Sequence, residues 1–426
     1  MDMTSVGAST ARAQFAAFNA LDGRTRGWRA LLPFMGPAVI ASVGYMDPGN
    51  IATNLQAGST YGYELLWVVL LANLVAMLFQ AMSAKIGIVT GRSLAEVCRD
   101  EFPRPLVMSM WLASEVGAMA TDVAEFLGGA LGISLLLHIS LMAGMCATGV
   151  LSMVLLRLDR NGFRPLEIAI AALVGAIGLS YVFELLIAPP DWKAVAFHMV
   201  VPALAGKSAV ALAVGIIGAT IMPHTLFLHS GLTQTRTPPR DDSDRRRIVR
   251  FSNKEIVIAL GVAGFVNLAM VTVAATVFNK THPGISDLSM AYHMFEGVLG
   301  GGAAMAFIVS LIASGLASST VGTMAGQVIM KGFVHLQIPV WVRRVVTIVP
   351  SFVVACLWNP VDAIVWSQVV LSFVLPIPLI ALVVLSARQS LMGSFASSRF
   401  VVIGAGLATL AIVALNGVLI AQALST

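Results

Sequence analysis

Asp47-Pro48-Gly49-Asn50 stands inside an apolar run from Phe34 to Leu55, and Met222-Pro223-His224 stands inside a second apolar run. An ionisable side chain at membrane depth is costly and is by default a functional-site hypothesis. Pro48 lacks a backbone donor and, with Gly49, frees carbonyls that only a binding cavity or neighbouring protein can satisfy. The first run thus offers the Asp47 carboxylate and the neutral Asn50 oxygen. The second offers the Met222 sulfur, and Pro223 opens a turn whose freed carbonyls centre on Ala219. Magnesium and calcium prefer all-oxygen shells, whereas a thioether suits softer transition metals. The mixed set points to manganese(II), iron(II) or a neighbouring divalent ion, bound halfway across a membrane. Each feature alone has a plainer reading: methionine fills gaps in apolar packing, proline kinks a helix, and an intramembrane aspartate can be half of an ion pair. The coincidence of two matching breaks favours the joint site.

A second group of residues could move protons. Glu115, Asp122 and Glu125 are spaced i, i+7, i+10 and stack on one helical face. Closely set carboxylates in low dielectric hold protons near physiological pH, so this face could be a proton path. The alternative is a structural ion-pair network with Arg343 and Arg344, and both readings can hold together. His224, directly after the Met-Pro break, is a switchable base that could gate, carry protons or bind metal. His229 falls on a different helical face and is as readily a packed, hydrogen-bonded histidine. Gln368, beside Ser367, could complete a metal shell in one conformation or form a helix–helix hydrogen bond.

These residues need apolar helices to hold them, and the composition supplies little else. Of 426 residues 58% are hydrophobic and 11% charged, far from the quarter charged that is usual in soluble domains. The reading is an all-α membrane protein with about eleven transmembrane helices, on a criterion of about 20 apolar residues each. The expected segments are 34–56, 62–88, 105–136, 138–156, 165–187, 208–234, 254–279, 303–331, 342–358, 361–386 and 400–422. Residues 1–32 are expected to form a cytoplasmic tail ahead of a single transmembrane domain over 33–426. The longest polar stretch, Thr235 to Lys254, reads as a solvated loop around Asp244-Arg245-Arg246-Arg247.

The net charge of +5 sits in short loops, which marks topology and excludes a nucleic-acid footprint. One side carries Arg12, Arg24, Arg26 and Arg29, then Arg92, Arg99, Arg104, Arg157, Arg160 and Arg164, and later Arg236 to Lys254, Lys331, Arg343, Arg344, Arg388 and Arg399. The other offers little beyond Lys193, Lys207 and Lys280. This asymmetry places the N-terminus in the cytoplasm and, with an odd span count, the C-terminus outside. The breaks fall in segments 1 and 6. If segments 1–5 and 6–10 are repeats, the odd number in each forces opposite orientation, the inverted-repeat plan whose sites form where broken helices meet at the midplane. The repeats cover about 33–190 and 205–390, and segment 11 is an appendage. Cys98, Cys146 and Cys356 are too few and scattered for a disulfide framework or thiolate cluster, and no cleavable signal peptide is evident. Gly128, Gly129 and the run Gly300 to Ala304 read as close helix packing. Asn279-Lys280-Thr281 fits a glycosylation acceptor, relevant only in a eukaryotic secretory pathway.

At these residues the chain resembles the Nramp family of proton-coupled divalent metal transporters. The resemblance rests on Asp47-Pro48-Gly49-Asn50, on Met222-Pro223-His224 continuing through Leu226 to Ser230, and on Thr121-Asp122-Val123-Ala124-Glu125. It extends to Ser319 through Gln327 and to Ser367 through Phe373, and spans about Leu32 to Gly393. It implies a LeuT-like 5+5 inverted repeat plus one C-terminal helix, segments 1 and 6 unwound at the midplane, and uptake of manganese or iron with protons across the cell (inner) membrane. The resemblance implies Asp47, Asn50, the Ala219 carbonyl and Met222 as metal ligands, with Gln368 auxiliary. It implies His224, Glu115, Asp122, Glu125, Arg343 and Arg344 on the proton route. Thr225 departs from the family, where many relatives carry Asn, and Met222 argues against the magnesium-selective branch. No resident cofactor and no catalytic residues are expected: the metal is cargo, the proton co-substrate, and no nucleotide-binding loop is present. The other partners expected are the lipid bilayer, with no nucleic acid and a monomeric chain. The rivals are a sodium-coupled amino-acid carrier, whose substrate a bare Asp and Met would serve poorly, and a membrane metalloenzyme, for which no His-Glu-x-x-His helix is present. A passive channel would show flux without saturation or proton dependence.

Overall fold

The computed structural model describes residues 15–158, 163–204, 206–234, 236–279, 284–285 and 287–424. All regular elements among them are helical. Segment 1 is split into Pro37–Ser42, a 3-10 turn Val43–Tyr45, and Pro48–Tyr61. Segments 2 to 5 are Leu66–Thr90, Arg104–Leu137, Leu141–Arg157 and Phe163–Ile187. Segment 6 is split into Lys207–Thr220 and Pro223–Gln234. Segments 7 to 9 are Asp242–Phe278, Gly301–Val334 and Val340–Leu357. Segment 10 is split into Pro360–Val374 and Pro376–Ala387, and segment 11 is Arg399–Leu424. Nine helices among the described residues are long and apolar enough to cross a membrane. The shorter Leu141–Arg157 and the broken segment 1 complete the eleven.

Segments 3 and 8 form the centre, and small residues set how closely they meet. A Cβ on Gly315 would fall 2.5 Å from the Gly129 Cα, so Gly315 admits no larger residue without moving a helix. One residue earlier, a Cβ on Gly128 would collide with the Pro48 ring, which seats the break of segment 1 directly against segment 3. Segments 5, 9 and 11 are peripheral and turn side chains such as Leu179, Leu186, Val349, Phe400 and Leu407 outward. Segment 11 packs mainly on segments 6 and 10, and Asn416 donates to the Ser372 carbonyl.

The break in segment 1 is satisfied by its neighbours. The Tyr45 carbonyl accepts from Asn267 Nδ2 at 2.7 Å, and the Met46 carbonyl accepts from Ser314 Oγ at 2.6 Å. Asn267 also accepts from Asn54 Nδ2 at 3.0 Å. At the start of the segment, Glu255 Oε1 accepts from the Gly36 and Ala38 amides at 2.6 and 2.9 Å. Segments 7 and 8 thus supply the partners that water cannot supply in hydrocarbon.

One expectation requires correction. Segment 7 begins at Asp242, twelve residues before the expected start, and Asp244-Arg245-Arg246-Arg247 is helical, not a loop. Asp241 caps this helix by accepting from the Asp244 amide at 2.7 Å, and Arg240 and Arg245 pair with Asp244 and Asp242 around the first turns. Hydropathy registers only the part of a helix inside the membrane. Ahead of segment 1, residues 15–21 are helical, and Ala17, Ala20 and Leu21 are buried beside Ile88 and Ile248. Short helices over Leu94–Glu101, Trp192–Val200 and Leu288–Leu299 join the spans. Arg12, Arg160, Lys280 and Thr281 lie outside the described residues.

Replacing Asn267 with alanine leaves the Tyr45 carbonyl buried without its donor. The expected loss is about 1–3 kcal/mol, read as a lowered melting temperature of the purified chain in detergent. An unchanged melting temperature would show that the break does not need this partner.

Candidate metal centre

Proline chemistry places one carbonyl at the centre of the molecule. In an unbroken helix the Ala219 oxygen would accept from the amide of residue 223, but Pro223 has none. The first half of segment 6 ends at Thr220, Ile221 turns to φ −97° and ψ 90°, and a new helix starts at Pro223. The freed Ala219 oxygen instead accepts from Asn50 Nδ2 at 2.8 Å. Thr220 Oγ1 lies 3.3 Å from Asn50 Oδ1. The two breaks therefore meet through the Asn50 amide.

Asp47 is the N-cap of the second half of segment 1, with extended backbone. Its Oδ1 accepts from the Asn50 amide at 3.0 Å and from Asn50 Nδ2 at 2.5 Å, and its Oδ2 accepts from the Gly49 amide at 3.1 Å. A carboxylate at a helix N-terminus also meets the positive end of the helix dipole. Asp47, Asn50, Ala219 and Met222 are fully buried. The Met222 sulfur lies 3.5 Å from where a Cβ on Gly44 would stand, beside the 3-10 turn of segment 1. Gln368 arrives from segment 10: a Cβ on Gly49 would strike its amide and sit 2.8 Å from Asp47 Oδ2. Gln368 Nε2 is bonded to Ser367 Oγ at 3.2 Å, whereas its Oε1 is buried without a hydrogen-bond partner. Hence all five residues expected at the metal site converge on the two breaks. The donors are oxygens and one thioether. For Asn50 to offer an oxygen between Asp47 and Ala219, its amide must turn over, exchanging Nδ2 for Oδ1.

The acidic residues of segment 3 form a line leading away from this centre. A Cβ on Gly322 would lie 2.8 Å from Glu125 Oε2 and 3.0 Å from Asp122 Oδ1, so this glycine of segment 8 makes room for both carboxylates. Both Glu125 oxygens are buried without a hydrogen-bond partner. Asp122 Oδ1 lies 3.4 Å from Arg344 Nη1. The fully buried Arg344 also donates to Ser152 Oγ at 3.0 Å and to Ser319 Oγ, and stacks over the Phe126 ring at 5.5 Å. Arg343 grips Glu115 with two bonds, at 2.8 and 3.3 Å. The ion pairs weighed against a proton path are thus present, but they do not include Glu125.

His224 Nδ1 is 3.4 Å from Thr121 Oγ1, and its Nε2 has no partner. His229 belongs to another network: its Nδ1 meets Gln80 Oε1 at 2.7 Å, and Gln80 Nε2 donates to Tyr45 Oη at 2.7 Å and Thr225 Oγ1 at 3.1 Å. For Gln80 and Tyr45 the one signal in the sequence is a glutamine inside a long apolar run. A charged clasp was also missed. Arg236 binds Glu167 and donates to the Met35 carbonyl at 2.5 Å, while Arg164 reaches Glu167 at 2.8 Å and Met35 at 2.9 Å. It fastens the start of segment 1 to segments 5 and 6, and its partners are too far apart in sequence to pair by inspection.

Two broken helices facing each other inside an eleven-helix bundle define a LeuT-like membrane transporter. The fold likeness extends to a nucleobase-cation-symport-1 family transporter solved in a closed conformation, with a TM-score of 0.53 at 11% identity, covering 82% of this chain and 77% of that one. The family described as natural resistance-associated macrophage protein-like, Nramp, matches residues 38–422. The chain belongs to the Nramp family. It is 62% identical over 409 residues to a divalent metal cation transporter MntH of Burkholderia ambifaria, covering 96% of this chain and 93% of that one. The structure of an Eremococcus coleocola manganese transporter, bound to an aromatic bis-isothiourea compound, superposes with a TM-score of 0.85 at 33% identity, covering 92% and 87% of the two chains.

Proposed function

We propose that this protein carries divalent transition-metal ions, manganese(II) and iron(II), into the cytoplasm together with protons, by alternating access. The observation that carries the reading is the meeting of Asp47, Asn50 and the proline-freed Ala219 carbonyl at the paired breaks, with the Met222 thioether and the Gln368 amide beside them. The relatives named above support the same class of cargo: one is a divalent metal cation transporter, another a manganese transporter.

In this reading Asp47 supplies the charge that draws a divalent ion out of water. Neutral oxygens from Asn50 and Ala219 complete the hard part of the shell. Met222 adds little for calcium or magnesium but favours a softer ion, so selectivity comes from the thioether. Gln368 Oε1, buried and unpartnered, joins the shell in one of the states. The ion enters with the site open to the outside and leaves when segments 1 and 6 rock open to the other face. Opening that face requires the Arg236–Glu167 clasp and the Gln80–His229–Tyr45 network to part. Both lie toward the Arg-rich end, which the charge asymmetry assigns to the cytoplasm.

Protons take a partly separate way. Metal binding at Asp47 excludes a proton there, and Glu125 is the nearest carboxylate not already committed to an arginine. Beyond it, the Asp122–Arg344 and Glu115–Arg343 pairs give a proton a succession of acceptors whose charge the arginines balance. His224, with Nε2 free, stands between the two routes.

Manganese uptake into proteoliposomes against excess calcium or magnesium tests the site. Met222→Ala is expected to retain uptake of manganese alone and to lose about tenfold or more of its preference over the competitors, a change worth about 1.4 kcal/mol. Equal competition in wild type and variant would make Met222 a packing residue and end the transition-metal assignment. Glu125→Gln keeps shape and removes a titrating group. It is expected to leave manganese binding within about threefold while metal-coupled proton entry falls about tenfold. Undiminished proton entry would place the route elsewhere.

A further inference from the structure

Segment 7 carries a basic patch that the transport reading does not use. Arg246, Arg247 and Arg250, with Ser243, line an open cavity of about 360 Å³ on its extramembrane turns. Nearby acids are already engaged: Asp22 and Asp244 pair with Arg240, and Asp242 pairs with Arg245. Arg246 and Arg250 are left without a carboxylate partner among the described residues, and Arg247 spends one bond on the Leu21 carbonyl.

The face on which the patch sits indicates what fills it. At 100° per residue, Arg246, Arg250, Lys254, Val257 and Phe265 fall on one side of the helix. All five are exposed, Val257 at 60% and Phe265 at 47%. The opposite side, with Ser252, Glu255, Ile256 and Ala263, is buried in the bundle. The exposed apolar stripe is lipid-facing, and the arginines extend it beyond the hydrocarbon without interruption. A ligand that fits needs an anionic head for the cavity and an apolar tail for the stripe. Guanidinium groups bind phosphate by paired donors, and basic residues just outside a span attract anionic lipid by about 1 kcal/mol each.

We propose that Ser243, Arg246, Arg247 and Arg250 form a binding site for an anionic phospholipid, its phosphate in the cavity and an acyl chain along Val257 and Phe265. The test uses the full chain in nanodiscs of phosphatidylcholine with a minor fraction of phosphatidylglycerol, reading bound phosphatidylglycerol after native release. The double variant Arg246→Gln/Arg250→Gln is expected to lose about twenty-five-fold in retention. The double variant Arg24→Gln/Arg26→Gln, which removes the same charge from exposed positions of the same end, is expected to retain it. Equal retention in all three proteins, or equal loss in both variants, would overturn the site. So would release by excess inorganic phosphate with no preference for phosphatidylglycerol over phosphatidylcholine, which would make it a site for free anions. Arg250→Gln alone, expected to lose about fivefold, keeps the question open to test should the double variant fold poorly.

Discussion

The structure depends on the need of every backbone carbonyl in a membrane for a donor, and on two prolines that deny one. Pro48 and Pro223 remove amides in the middle of spans. Beside Pro48 the Asp47 side chain takes the Gly49 and Asn50 amides, and the Tyr45 and Met46 carbonyls left without them are answered by Asn267 and Ser314 from segments 7 and 8. At Pro223 the answer comes from Asn50, a residue of the other break. In the proposed function an obligation of helix geometry becomes a binding surface: with the Asn50 amide turned over, the acceptor that lost its helical partner would face a cation.

The buried charges follow a related logic. A guanidinium without compensation in the interior would be strongly destabilising, and Arg344 is matched by Asp122, two serine hydroxyls and the Phe126 ring. Arg343 and Glu115 form a second matched pair. Against this background Glu125, buried and without a hydrogen-bond partner, and Asp47, whose partners are all neutral, are two carboxylates beside the breaks with no arginine paired to them. Gly322 and Gly128 are the concessions that let them sit there, one admitting the acids and the other admitting Pro48.

Much of this was legible in the sequence, because charge and helix breakers in an apolar run are conspicuous. Asp47, Asn50, Met222 and the freed Ala219 carbonyl could be named from residue type alone, and the eleven segments from hydropathy. The paired arginines were nameable because they stood next to a span start. What could not be read were partners chosen by packing. Gln80 and Asn267 are amides in long apolar spans, and nothing local says that one meets His229 and the other the Tyr45 carbonyl. The Arg236–Glu167 clasp joins residues from different repeats. Segment 7 was placed short because capping by Asp241 and ion pairing extend it through polar residues that a hydropathy reading ends on.

In the proposed mechanism the missing amide at residue 223 creates a metal ligand. Calorimetric titration of manganese(II) into purified Pro223→Ala, beside wild type, addresses it most directly. Restoring the amide lets it recapture the Ala219 oxygen, and the loss of one charge-assisted contact predicts affinity lower by about tenfold to a hundredfold. Unchanged affinity in a folded variant would contradict the account and leave the break in segment 6 a hinge without a part in binding.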